Sequence, residues 1–217
     1  MQRTQHLYLT VLAGLGWFAL IGQLYLILAA RTVSIPETLI RYFSFFTIQT
    51  NILVALCCTV LVWLPAGKWG RFFSRASVQA ALTVYIGIVG LVYNTILRFL
   101  WAPQGLQRGV DELLHLVIPV LFILYWLLYA PKKDLAWKQL PSWLIYPAAY
   151  MLYTIVHGAI TNYYPYPFVD VAVLGYPVAM RNAAGVVLLF LAASAGVIAL
   201  GRALAKRSAA AQEKVSL

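Results

Sequence analysis

Hydroxyls, histidines and carboxylates recur in this chain at spacings that put them on common helix faces. Ser44, Thr47 and Asn51 stand at i, i+3 and i+7, one stripe of a helix. Asp111 and His115 are one turn apart, with Glu112 three residues before the histidine, and Asn94 and Arg98 are also one turn apart. Tyr146, Tyr150, Tyr153, His157 and Thr161 form a continuous stripe. A hydroxyl becomes a nucleophile when a base takes its proton. Histidine is the usual base, because its pKa lies near working pH. A carboxylate orients the imidazole and stabilises its cation. Ser44, Thr47 or Thr50 can supply the hydroxyl, His115 or His157 the base, and Asp111 or Glu112 the orienting group. Asn51, Asn94 or Arg98 can stabilise an oxyanion, with Tyr153 and whichever histidine is not the base in support. The chemistry such a set points to is acyl transfer. A Gly-x-Ser-x-Gly elbow is absent, which excludes an ordinary α/β hydrolase.

The elements that must hold these groups are membrane helices. Of 217 residues 63% are hydrophobic and 10% charged, too few charges to clothe a soluble domain. A bilayer core of ~30 Å needs ~20 mostly apolar residues per helix. Six stretches qualify, near 7–30, 43–64, 78–99, 112–129, 143–161 and 183–201. They are too long for the strands of a transmembrane barrel and lack period-2 alternation. The expected fold is all-α, a six-helix integral membrane bundle over 1–202 with a basic C-terminal tail at 203–217.

The net charge of +10 is a topology signal rather than a sign of nucleic-acid binding. Six spans place the N-terminus, the second and fourth connections and the C-tail on one side. That side holds eleven of the sixteen basic residues and two acids, leaving +9; the other holds five basic residues and four acids, leaving +1. By the positive-inside rule both termini are cytoplasmic and the chain sits in the plasma (inner) membrane. The first span lacks a small-x-small cleavage site and reads as a retained helix. Cys57 and Cys58, adjacent in the second span, suggest no disulfide framework, and no metal site or cofactor is expected.

With this orientation the polar residues of spans two to six gather in the outer half of the bilayer, and the inner halves look nearly pure hydrocarbon. His115 and His157 are expected at similar depth on antiparallel neighbours. Each group also has a plain reading. Ser and Thr in membrane helices usually bond their own i−4 carbonyl or a neighbouring helix. A tyrosine stripe is usually packing, and Arg98 at a helix end can simply snorkel to the headgroups. Gly87 and Gly90 suggest a close helix crossing, and the aromatic, proline-rich loop 162–168 suggests an interfacial belt or a lid.

The run Arg41-Tyr42-Phe43-Ser44-Phe45-Phe46-Thr47-Ile48-Gln49-Thr50-Asn51, then His115 with Pro119, then His157 leading into Tyr166-Pro167-Phe168, resembles the Pr6Pr-type bacterial six-pass membrane proteins. More distantly it is similar to the androgen-induced gene family of animals. Members of that family are intramembrane threonine hydrolases of fatty acid esters of hydroxy fatty acids. The resemblance implies a nucleophile near the outer start of span two and a histidine base early in span four. The base falls on His115. Alignment without a gap from Arg41 puts the nucleophile on Ser44, and the nearest threonine is Thr47. The expected function is hydrolysis of a lipid ester drawn from the surrounding membrane lipids. Two alternatives remain open. One is a transporter or lipid- or ligand-binding protein with a polar outer cavity. The other is a haem protein with His115 and His157 as axial ligands. A retinal pigment is disfavoured, since no lysine lies inside a span.

Overall fold

The structure, a computed structural model, describes residues 2–215 and is helical, with no strand among them. Its helices are α1 (Arg3–Ala29), α2 (Ile35–Ser44), α3 (Phe46–Trp63), α4 (Lys68–Phe73), α5 (Ala76–Thr95), α6 (Gly105–Glu112), α7 (Ile118–Leu128), α8 (Leu140–Thr161) and α9 (Val171–Val215). Six segments are long and apolar enough to cross a bilayer: Arg3–Ala29, Phe46–Trp63, Ala76–Phe99, Gly105–Leu128, Trp137–Thr161 and Val171–Ala210. The chain is a multi-pass membrane bundle. The basic tail continues α9 as helix to Val215, and residues 216 and 217 lie outside the described residues.

The spans differ from expectation at their ends. The second breaks at Phe45, whose backbone is extended (φ −81°, ψ 127°), so residues 35–44 form a separate short helix. Ser34 caps that helix by accepting the Glu37 N–H at 3.4 Å, and Pro36 fits its first turn. Glu37 near its start and Arg41 near its end suit the helix dipole and pair at 2.9 Å. The sixth span begins at Val171, earlier than expected. Gly175, in the left-handed region at φ 74°, kinks it just before Pro177.

Packing follows small residues. Lipid gives no hydrophobic drive for helices to associate, so close backbone approach matters. Gly16 on α1 meets α3 so closely that an added Cβ would lie 3.1 Å from the Ala55 Cβ. Gly90 on α5 meets Pro119 on α7 at the same 3.1 Å, whereas Gly87 has ordinary room. Helix α5 sits centrally, packing on α3, α7 and α9. Helix α7 packs on α1 and α5, and α8 packs chiefly on α9. The expectation that the two histidines stand on neighbouring helices is therefore corrected: order in sequence did not become adjacency in space.

Proline governs the fourth and fifth spans. Pro119 has no N–H for the His115 carbonyl, and the turn before it, Leu113–Val117, widens into a π-helix. The carbonyls of Leu114 and His115 instead accept from Asn51 Nδ2 at 3.3 Å and Asn94 Nδ2 at 3.0 Å. Pro147 likewise leaves the Trp143 carbonyl free, and the Tyr85 hydroxyl donates to it at 2.6 Å. The half of the bundle expected to face inward is not bare hydrocarbon either. Buried Gln79 accepts from Tyr125 at 3.2 Å and donates to the Phe73 carbonyl at 2.9 Å, and the Trp143 indole donates to Ser77 at 2.9 Å.

Candidate active site

At the end of the bundle where the connections 30–34, 96–104 and 162–170 meet, a cavity of about 630 Å³ opens. Its walls are mostly apolar, and the polar groups in them include Thr47, His115, Asp111, Tyr93 and Tyr166, with Thr38, Arg41 and Tyr163. A second cavity, of about 60 Å³, lies between α5, α8 and α9. Thr47, Tyr93, Leu97 and Tyr166 belong to the walls of both.

The break at Phe45 decides what the hydroxyl stripe does. It frees backbone groups that side chains then satisfy. The Phe43 carbonyl accepts from Gln49 Nε2 at 2.8 Å, and the Ser44 carbonyl accepts from the Tyr150 hydroxyl at 2.8 Å. The free Thr47 N–H donates to the Tyr166 hydroxyl at 3.3 Å. Ser44 itself is fully buried and lines neither cavity. Its hydroxyl donates to the Ile40 carbonyl at 2.7 Å and pairs with the Tyr153 hydroxyl at 2.7 Å. Thr50 faces Tyr146 at 3.5 Å, also away from both cavities. Thr47 alone of the three hydroxyls reaches the cavity, with Tyr166 3.4 Å from its Oγ1.

The candidate base, His115, sits on the π-turn. His115 Nδ1 lies 3.2 Å from Asp111 Oδ1 and 3.0 Å from the Asp111 carbonyl. The other carboxylate oxygen of Asp111 accepts a short hydrogen bond from the Tyr93 hydroxyl. The Tyr93 ring stacks flat on the imidazole, with centroids 3.8 Å apart and 14° between planes. Aspartate and tyrosine thus fix the ring, engage Nδ1 and leave Nε2 without a protein partner among the described residues. Asp111 is 6% exposed, so its carboxylate is largely buried while remaining in the cavity wall.

The other expected groups are assigned elsewhere. Asn51 and Asn94 hold the backbone carbonyls beside Pro119, so they are not free as oxyanion donors. Glu112 is spent on Arg98 at 2.7 Å, and the Arg98 guanidinium lies over the Tyr93 ring at 5.4 Å. His157 stacks on Tyr153 at 5.4 Å and bonds Thr161; neither His157 nor Tyr153 lines either cavity. His115 thus faces the larger cavity and His157 neither of the two. Among the described residues no group of three or more His, Cys, Asp or Glu is placed to hold a metal ion.

Sequence reasoning missed Tyr93 and undervalued Tyr166. Both fall within the hydrophobic class of the composition, and only Tyr166 carried a signal, its place between two prolines. At the mouth, the Arg41 guanidinium lies 4.5 Å over the Tyr163 ring. Burial pushes the Tyr163 phenol up, and the charge of Arg41 pulls it partly back. No family model, curated protein or solved structure matches this chain.

Proposed function

We propose that this protein is an intramembrane hydrolase of lipid esters, with Thr47 as nucleophile and His115 as base. One observation carries the reading: Thr47, His115 and Asp111 line one largely apolar cavity, and Asp111 engages Nδ1 of the imidazole so that Nε2 is left to work. An apolar chamber with a few convergent polar groups suits a lipid ester. The Thr47 hydroxyl attacks the carbonyl as His115 Nε2 takes its proton, and Asp111 stabilises the imidazolium. His115 then protonates the departing alcohol. Water, deprotonated by the same imidazole, releases the acid from Thr47. The Tyr166 hydroxyl, 3.4 Å from Thr47 Oγ1, can donate to the developing oxyanion. Asp111, Tyr93 and the π-turn keep the base rigid, which is how such a site gains rate.

The charge asymmetry supports an orientation with both termini cytoplasmic and the cavity in the outer leaflet of the plasma membrane. Substrate then enters from membrane lipids. The motif resemblance to the threonine hydrolases points the same way, with the nucleophile moved from Ser44 to Thr47 on geometric grounds.

A fluorophosphonate probe reports an activated hydroxyl without knowledge of the substrate. Mass spectrometry of the labelled, folded protein should find the adduct on Thr47. The adduct should be lost in Thr47→Val, fall at least about 100-fold in rate in His115→Ala, and persist in Ser44→Ala. Absence of any adduct in folded protein would move the weight to a binding or transport role for the cavity.

A further inference from the structure

We infer that the smaller cavity is the acyl pocket of this enzyme, so that its substrates are esters of a short or compact acyl group with a large alcohol. The inference rests on the hydrolase reading above. Thr47, Tyr93, Leu97 and Tyr166 form a partition with one cavity on each side. An ester whose carbonyl carbon sits at Thr47 Oγ1 therefore sends one arm into each cavity.

Proton movement decides which arm goes where. When Thr47 Oγ1 bonds to the carbonyl carbon, its proton passes to His115 Nε2. The bond from that carbon to the alcohol oxygen then breaks, and the alcohol leaves with the proton from His115. The alcohol oxygen must therefore lie on the side of the histidine. His115 and Asp111 line the large cavity and do not line the small one. The alcohol arm thus occupies the cavity of about 630 Å³, and the acyl arm the cavity of about 60 Å³, roughly a tenth of the size. Water enters after the alcohol leaves, by the large cavity. His115 takes its proton, the hydroxide adds to the acyl carbon, the bond to Thr47 breaks, and the proton returns to Thr47 Oγ1.

The small cavity has the walls of an acyl site. Val89 and Ile88 from α5, Met151 from α8, and Val186 and Phe190 from α9 enclose it. Thr154, 1% exposed and without a hydrogen-bond partner, is the one hydroxyl in its walls that the partition does not account for besides Tyr150. Tyr150 is already committed to the Ser44 carbonyl. Water therefore finds few partners there, and hydrocarbon meets little that repels it. Val186 and Met151 are half-buried, so their substitution perturbs packing less than that of Phe190, which is 4% exposed.

The test uses full-length protein in lipid nanodiscs and 4-methylumbelliferyl esters of acetic, butyric, octanoic and palmitic acid. The native protein should prefer acetate and butyrate, with kcat/KM for octanoate lower by about tenfold or more, as expected when methylenes do not fit. Met151→Ala should lengthen the pocket and raise octanoate relative to butyrate by about tenfold. Val186→Phe should shorten it and lower butyrate relative to acetate. An unchanged chain-length profile in both variants, with Thr47 still labelled by fluorophosphonate, overturns the acyl pocket and leaves the hydrolase standing. Equal slowing of every ester by Val186→Phe would make the cavity a water store and also overturn it. Failure to hydrolyse any ester together with no label on Thr47 removes the hydrolase reading itself.

Discussion

Asn51 and Asn94 stand where an oxyanion donor was expected, yet each spends its amide on the backbone. Asn94 Nδ2 donates to the Gly90 carbonyl at 2.7 Å and to the His115 carbonyl at 3.0 Å. The second acceptor exists because Pro119 has no N–H to give it. Removing the amide therefore strands a carbonyl in a membrane interior, at a cost of about 1–2 kcal/mol. Asn94→Ala should lower the melting temperature in detergent while the folded fraction still labels at Thr47 within a few-fold of the native rate. Adding Pro119→Ala restores a backbone donor, so the double variant should regain part of the lost stability. A double variant no more stable than Asn94→Ala would show that the amide does something other than complete the helix. The polarity of these residues was legible in the sequence, and so was their placement near one end of the bundle. Their partners were not, because a freed carbonyl is a property of backbone geometry. The stripe Ser44, Thr47, Asn51 shows the same limit. All three are buried, but the break at Phe45 turns Ser44 into a helix end and leaves Thr47 in the cavity wall.

Elements were more legible than their boundaries. Six spans follow from hydropathy, since length and apolarity are local properties. The break at Phe45 has no glycine or proline to announce it. It is held by distant tyrosines: Tyr42 donates to the Leu20 carbonyl at 2.8 Å and Tyr150 to the Ser44 carbonyl at 2.8 Å. The crossing of α5 and α7 was half legible. Gly87 and Gly90 both suggested it, and only Gly90 is needed. A Cβ there would lie 3.1 Å from Pro119 Cβ and 3.3 Å from the His115 carbonyl oxygen. The backbone of the π-turn that carries His115 thus comes close to α5 at Gly90, beside the contacts of Tyr93 and Asn94. Gly90→Leu should push the helices apart, lengthen the Asn94 to His115 bond and cost about 1–3 kcal/mol by overpacking. Its labelling at Thr47 should fall as the base moves. Gly87→Ala, whose Cβ would come no nearer than 3.7 Å to Ile123, should melt close to the native protein. Thermal melts of both in the same detergent, with labelling rates alongside, check this. Equal tolerance of the two changes would mean the crossing does not set the position of the histidine.

Over the whole molecule, most of the net positive charge and the cavity lie at opposite ends. The cavity opens among the connections 30–34, 96–104 and 162–170. The end away from it carries Lys68, Arg71 and Arg75 on or beside α4, Lys132, Lys133 and Lys138 before α8, and Arg202 in the last part of α9. A cationic end tends to be retained on the side of synthesis, and the proposed orientation accordingly has the cavity on the far side of the membrane. The consequence for function is direct: substrate would be drawn from the outer leaflet, and a released acid or alcohol would appear outside the cell. Orientation can be read with one cysteine at a time. Cys57 and Cys58 are fully buried, so they contribute little background to an impermeant maleimide. Gln104→Cys, at the start of α6 on the cavity side, should react in intact cells. Gly67→Cys, just before α4, should react only after the membrane is opened. The reverse pattern would put the cavity on the cytoplasmic leaflet. The acyl-transfer geometry would be untouched by that result, but the source of its lipid and the destination of its products would both change sides.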